Sequence, residues 1–152
     1  MAHSIRGFIG RPETLQAICA RFSGAKAVRL DAGFALLPGT RALIAAIGAA
    51  YPEGEPRLAS SIDFLFDHPA MLRALSAFSA DGPIAFVETD YDDGRGAQAA
   101  TACVDGKVVT SAEGEGRPIN QALRAIGVAR PPDEDEFDFV CLGKYRSMDV
   151  FE

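Results

Sequence analysis

The densest chemistry in the chain lies between residues 88 and 98. Glu88, Asp90, Asp92 and Asp93 follow one another closely, with Arg95 and Gln98 just beyond. In an extended strand side chains alternate, so Glu88 and Asp90 share a side. Hard carboxylate oxygens gathered in this way are the ligands that Mg²⁺ and Ca²⁺ take. Glu88, Asp90 and Asp92 are therefore the donor set of a metal-binding alternative. The calcium-loop pattern fails, however. With Asp90 as its first position, Arg95 stands where the Gly belongs and Thr101 where the closing acid belongs. Asp and Gly are also the residues that turns favour, so the plain account of the stretch is a solvated turn. The functional account is a partner-binding edge made of Asp90, Tyr91, Asp92, Asp93, Arg95 and Gln98, with Tyr145 as a second aromatic anchor. Gln98 itself reads either as a solvent-facing residue or as an amide that fixes a neighbouring loop by hydrogen bonds.

Nucleophilic catalysis needs a nucleophile, a base and an orienting group that converge. The chain has only two histidines. His3 falls in a terminus expected to fray, and His68 precedes Pro69 at a helix start, where capping is the usual role. Cys19, Cys103 and Cys141 are far apart, have no metal-ligand spacing and sit among apolar neighbours, as buried thiols do. There is no Gly-x-Ser-x-Gly elbow, no phosphate-binding Walker loop and no His-Glu-x-x-His. Gly94-Arg95-Gly96 lacks the strand-to-helix context of a phosphate cradle. Lys144-Tyr145-Arg146 is a small basic-aromatic cluster near the C-terminus. No catalytic residue is assigned, and no cofactor is expected.

These residues sit in a chain of 152 residues, 48% hydrophobic and 24% charged, which suits one globular domain. The net charge of −6 argues against binding nucleic acid through a basic surface. No apolar run approaches a membrane span and the N-terminus lacks a signal-peptide core, so a cytoplasmic location is the expectation. Charge is uneven: residues 1–50 hold six bases and two acids, residues 131–152 two bases and seven acids. An acidic surface of this kind steers a basic partner.

The elements that would position the site read as follows. Residues 5–9 form a strand. Pro12 opens a helix with Leu15, Ile18, Cys19 and Phe22 on one face. Residues 27–30 and 34–37 are two short strands. Thr40 caps a helix carrying Leu43, Ile44, Ile47 and Tyr51, interrupted by Gly48. Residues 51–56 are a loop and the best candidate for a mobile segment, and 62–66 are ambiguous. Asp67-His68-Pro69 starts a third helix with Met71, Leu72, Leu75 and Phe78 inward. A meander follows over 84–112. Its second turn is Asp105-Gly106, which sets Cys103 opposite Val108 and Ala102 opposite Val109. Ala97, Ala99, Ala100 and Ala102 leave room for a helix to lie close. Residues 113–116 are a second loop, Pro118 starts a fourth helix, and Gly127 is its C′ residue. Residues 135–143 read equally as helix or strand. The fold class is α+β: a single domain, 1–152, with one mainly antiparallel sheet and about four helices packed mostly on one face, residues 131–152 forming a C-terminal extension packed on it.

Three stretches resemble segments of a group of small bacterial proteins without an assigned activity. They are Glu88-Thr89-Asp90-Tyr91 through Gly94-Arg95-Gly96-Ala97-Gln98-Ala99-Ala100, then Ile119-Asn120-Gln121-Ala122-Leu123-Arg124 through Gly127-Val128, and Asp135-Glu136-Phe137-Asp138 through Leu142-Gly143. The likeness covers the last 70 residues or so. In that group the turn often carries paired glycines, where this chain has Asp92-Asp93. By its compact single-domain character the chain also resembles the immunity proteins of bacterial toxin systems, which act by binding. The resemblance implies a non-catalytic protein-binding module of immunity type whose partner is another protein, by charge a basic one. The alternatives are a small divalent-metal enzyme using residues 88–93 and a structural homo-oligomer with paired sheet edges.

Overall fold

The computed structural model describes residues 2–52, 64–93, 95–114 and 117–152. Parts of the loops expected at 51–56 and 113–116, the start of the ambiguous 62–66 stretch, and Gly94 of the first hairpin turn lie outside the described residues. Six strands form one sheet: β1 (Arg6–Gly10), β2 (Val28–Arg29), β3 (Ala35–Pro38), β4 (Ile84–Asp92), β5 (Arg95–Val104) and β6 (Lys107–Gly114). Their order across the sheet is β2-β3-β1-β4-β5-β6, and every pairing of neighbours is antiparallel. The helices are α1 (Pro12–Cys19), α2 (Arg41–Ala50), α3 (Pro69–Phe78), α4 (Pro118–Ala125) and the single turn α5 (Glu136–Phe139). This is a single-domain α+β fold. Among the described residues no helix is long and apolar enough to cross a membrane.

The helix starts follow local chemistry. Thr40 Oγ1 accepts the Leu43 N–H at 3.2 Å, His68 Nδ1 accepts the Ala70 N–H at 3.1 Å, and Asp135 Oδ1 accepts the Asp138 N–H at 2.9 Å. Each satisfies an amide that the helix itself leaves without a partner. The Asp135 cap turns the 135–143 stretch into a helical turn rather than a strand. His68 therefore has the capping role its position implies.

Helices α1, α2 and α3 lie on one face of the sheet, over Phe8, Leu37, Ile84, Phe86 and Cys103. The other face is covered as well. Ile119, Ala122, Leu123 and Ile126 pack there with Val140 and Leu142 of the C-terminal segment, on Ile5, Ile9, Leu36, Ala85, Val87, Ala100 and Ala102. The small side chains of β5 are what admit α4. Central strands buried on both faces read as continuous apolar runs, not as alternation, and Phe8-Ile9 and Ile84-Ala85-Phe86-Val87 are such runs.

The second hairpin departs from the simple register. Asp105 and Gly106 take φ of 51° and 81°, as a two-residue turn requires, and Cys103 pairs with Val108. Ala102, however, pairs with Thr110 and not with Val109. Val109 is an extra residue in β6, a bulge that re-aims the strand just after its turn.

Candidate functional site

The apolar face beneath α4 ends in a polar cleft of about 490 Å³. Its strand wall comes from three neighbours that share one side by alternation: Thr89 and Tyr91 from β4 and Gln98 from β5. His3 adds to this wall from the chain before β1. Facing them are Arg117 and Asn120 at the start of α4, Asp135, Phe137 and Asp138 around α5, and Gly143 and Arg146 beyond it. The three stretches that carried the resemblance thus meet at one place, although 18 residues separate the first from the second and six the second from the third in sequence.

Hydrogen bonds hold the walls together. Gln98 Oε1 accepts the Ile119 N–H at 2.9 Å, which ties the first turn of α4 to β5. Gln98 Nε2 donates to the Tyr91 hydroxyl at 3.2 Å. The amide reading of Gln98 is the one realised, and the loop it fixes is a helix start. Asn120, buried at 6% exposure, accepts the Phe137 N–H at 2.8 Å and donates to Asp135 Oδ2 at 3.2 Å, so it joins α4 to α5. Below them Glu136 is buried, and its Oε1 accepts from Arg124 Nε and Nη2, both at 3.1 Å, and from Arg130 Nε at 3.2 Å.

His3 corrects the expectation of a frayed terminus. Its backbone exchanges two hydrogen bonds with Tyr91, each 2.9 Å, which extends the β1–β4 pairing by three residues beyond the strand. On the other side Ser4 N–H donates to the Arg146 carbonyl at 2.8 Å. The N-terminal segment is therefore clamped between β4 and the C-terminal segment. The imidazole is 9% exposed, lies 2.7 Å from Thr89 Oγ1 through Nδ1, and stacks obliquely against Phe137 with ring centres 5.6 Å apart. Burial lowers its pKa below the usual 6.5, and Arg146 adds to this; the nearby Leu142 and Tyr145 carbonyls oppose it. Even so, Nε2 makes no hydrogen bond of ordinary geometry. The sequence signal that was missed is the company of His3: it continues the alternation of Ile5 and Ile9 on one face.

The other predicted residues divide by side. Asp92, Asp93 and Arg95 are exposed at the hairpin end, and Asp90, also exposed, points to the opposite face of β4 from Thr89 and Tyr91, the face of Glu88. Gly96 lets that end close. It has φ of 146°, and a methyl group there would fall onto the Asp90 carbonyl. Tyr145 is not brought to the cleft. Its hydroxyl donates to the Arg29 carbonyl at 3.1 Å and its ring packs on Phe151, so it fastens the C-terminal segment to β2. Cys19, Cys103 and Cys141 are all free thiols; Cys103 is buried, and Cys141 Sγ donates to Asp31 Oδ2 at 2.9 Å.

Glu88 points to the opposite face of the sheet and is 1% exposed. Arg6, directly across on β1, donates through Nε to Oε1 at 2.8 Å. The Leu65 N–H reaches both oxygens, at 2.9 and 2.8 Å, and the Phe66 N–H reaches Oε2 at 3.1 Å. Burial pushes the carboxyl up to about 7, against the pull of Arg6 and the two amides. Glu88 is thus a buried staple for the backbone at 65–66, its two oxygens engaged by Arg6 and by these amides, while Asp92 is exposed at the hairpin end. Among the described residues no group of three or more His, Cys, Asp or Glu is placed to hold a metal ion. The metal alternative lacks a donor set there. A larger cleft of about 850 Å³ lies beside Arg6 and Glu88. Its buried carboxylate is already surrounded by donors, whereas the cleft at His3 carries the exposed guanidinium groups of Arg117 and Arg146.

Comparison with models of known protein families, with curated proteins and with solved structures finds no match to this chain.

Proposed function

We propose that the protein is a non-catalytic protein-binding module and that the cleft bounded by His3, Tyr91, Gln98, Asn120 and Asp138 is its recognition site. The observation that carries this reading is the convergence of the hairpin end, the start of α4 and the α5 segment on one open cleft. The internal hydrogen bonds of Gln98 and Asn120 make that cleft rigid in advance of binding, which lowers the ordering cost of association. Its lining offers Tyr and Arg, the residue types that dominate binding energy at interfaces. Arg117→Glu and Arg146→Glu reverse exposed charges at the rim without touching either core. Both are expected to abolish recovery of a defined partner from cells that contain it, while Gln16→Glu on α1 leaves recovery unchanged. Equal recovery with all three variants would overturn the reading.

A second reading, self-association through the sheet edge, is favoured by one feature. β6 ends the sheet, and Val108 and Val109 on it are 48% and 52% exposed. The Val109 bulge and the flanking Lys107 and Glu113 are devices that discourage such pairing. Mass in solution decides: a monomer at high concentration excludes the edge as an interface between copies, and a dimer dispersed by Val108→Lys establishes it.

A further inference from the structure

Donors and acceptors in the cleft do not balance. A backbone N–H can only donate, so the contacts from Ile119 to Gln98 Oε1 and from Phe137 to Asn120 Oδ1 fix both side-chain amides in orientation. Each amide has two N–H groups and uses one within the protein, toward Tyr91 and Asp135 respectively. Tyr91 accepts from Gln98 and keeps its own proton to give. Asp135 is occupied on both oxygens, by the Asp138 N–H and by Asn120, with Arg117 3.7 Å away. Thr89 Oγ1 accepts the Ile5 N–H at 3.0 Å and lies 2.7 Å from His3 Nδ1, so this hydroxyl is engaged within the protein. Apart from the exposed Asp138 carboxylate, the side-chain acceptors of the cleft are engaged within the protein. Beyond Asp138, what the lining has left to offer is donors, joined by two guanidinium groups that are only loosely held: Arg117 at 3.7 Å from Asp135 and Arg146 at 3.4 Å from the Ala2 carbonyl.

Resting on the reading of this cleft as the recognition site, we propose that the group it receives is a carboxylate. A carboxylate accepts several hydrogen bonds at once and pairs with guanidinium in a fork. A phosphate dianion fits less well, because Asp135 and Asp138 stand in the same wall. A basic group would find Asp138 as its one uncommitted carboxylate there, facing two arginines.

The test uses the ¹⁵N-labelled full chain, titrated with acetyl-Gly-Glu-Gly-amide, with acetyl-Gly-Gln-Gly-amide and with free acetate. The Gln98 and Asn120 side-chain amide signals are followed. Saturable shifts are expected with the Glu peptide and not with the Gln peptide. Tyr91→Phe and Arg146→Gln, each with an unchanged backbone spectrum, should weaken binding about tenfold or more, as loss of a hydrogen bond to a charged group does. Asp138→Asn should tighten it. Equal affinity for acetate and the Glu peptide assigns the carboxylate to a small molecule, and a tighter peptide assigns it to a chain. Absence of saturable shifts with either carboxylate, equal shifts with the Gln peptide, or weaker binding in Asp138→Asn would overturn the proposal. Partner recovery that depends on the rim while the carboxylate probes stay silent overturns this inference alone. Carboxylate binding with no rim-dependent partner overturns the protein-binding reading alone.

Discussion

Two buried ionisable side chains, one on each face of β4, give opposite pH signatures. Glu88 has its folded pKa raised from 4.5 to about 7, so the folded state holds a proton more tightly than the unfolded chain does. Its contribution is fully present below the unfolded value and is lost as pH rises through the folded one. The span corresponds to a change on the order of 3 kcal/mol at most. His3 has its folded pKa lowered from 6.5, so its contribution is present above that value and is lost as pH falls below it. Wild type partly hides the two trends. Urea unfolding from about pH 5 to about pH 8 separates them when wild type and Glu88→Gln are compared. Wild type should lose stability relative to Glu88→Gln as pH rises toward 7, then run parallel to it. A difference independent of pH would show that Glu88 is ionised throughout. At this scale the caps at Thr40 and His68 were legible, because capping depends on residue type and the next few positions. The partners of His3 and Glu88 were not, since Tyr91, Thr89 and Leu65 are distant in sequence and reach them only through strand pairing.

Among the elements, the packing of α4 on β5 decides the shape of the cleft, since Ile119 is both a core residue and the donor to Gln98. Ala102 is fully buried beneath the helix. Ala102→Leu should cost about 1–3 kcal/mol by overpacking and push α4 outward. Its melting temperature should fall, and the Gln98 side-chain amide signals should move with it. A variant that lost stability while those signals stayed in place would show that the helix start is held independently of the core. The apolar stripes of α1 to α4 were readable because each repeats at helical spacing. The stretch at 135–143 was not, because one helical turn is too short for a period to show and Phe137 and Phe139 alternate like strand residues. The Val109 bulge was likewise hidden: a tight turn fixes the first pair of a hairpin, but nothing local forbids one extra residue after it.

For the whole molecule, the sheet is a middle layer with two separate cores, and the cleft lies where the second core meets both chain termini. The α+β class follows from the order of the elements. Coverage of both faces was written in the unbroken apolar runs at Phe8-Ile9 and Ile84–Val87. The site was legible only in part. Tyr91 and Gln98 stand out by type within an otherwise small and acidic hairpin. Asn120 and Asp135 look like ordinary helix and cap residues until the chain folds. Tyr145 reads as an aromatic anchor by residue type, and its tie to β2 through the Arg29 carbonyl is invisible in sequence. The central claim is that partners meet the molecule at this one cleft. The most direct measurement places a photo-reactive phenylalanine analogue at position 138 on the rim and, separately, at position 16 on α1, in cells that contain the partner. A discrete adduct from position 138, lost with Arg146→Glu, and none from position 16 is the expected result. The same adduct from both positions, or adducts from position 16 alone, would contradict the account.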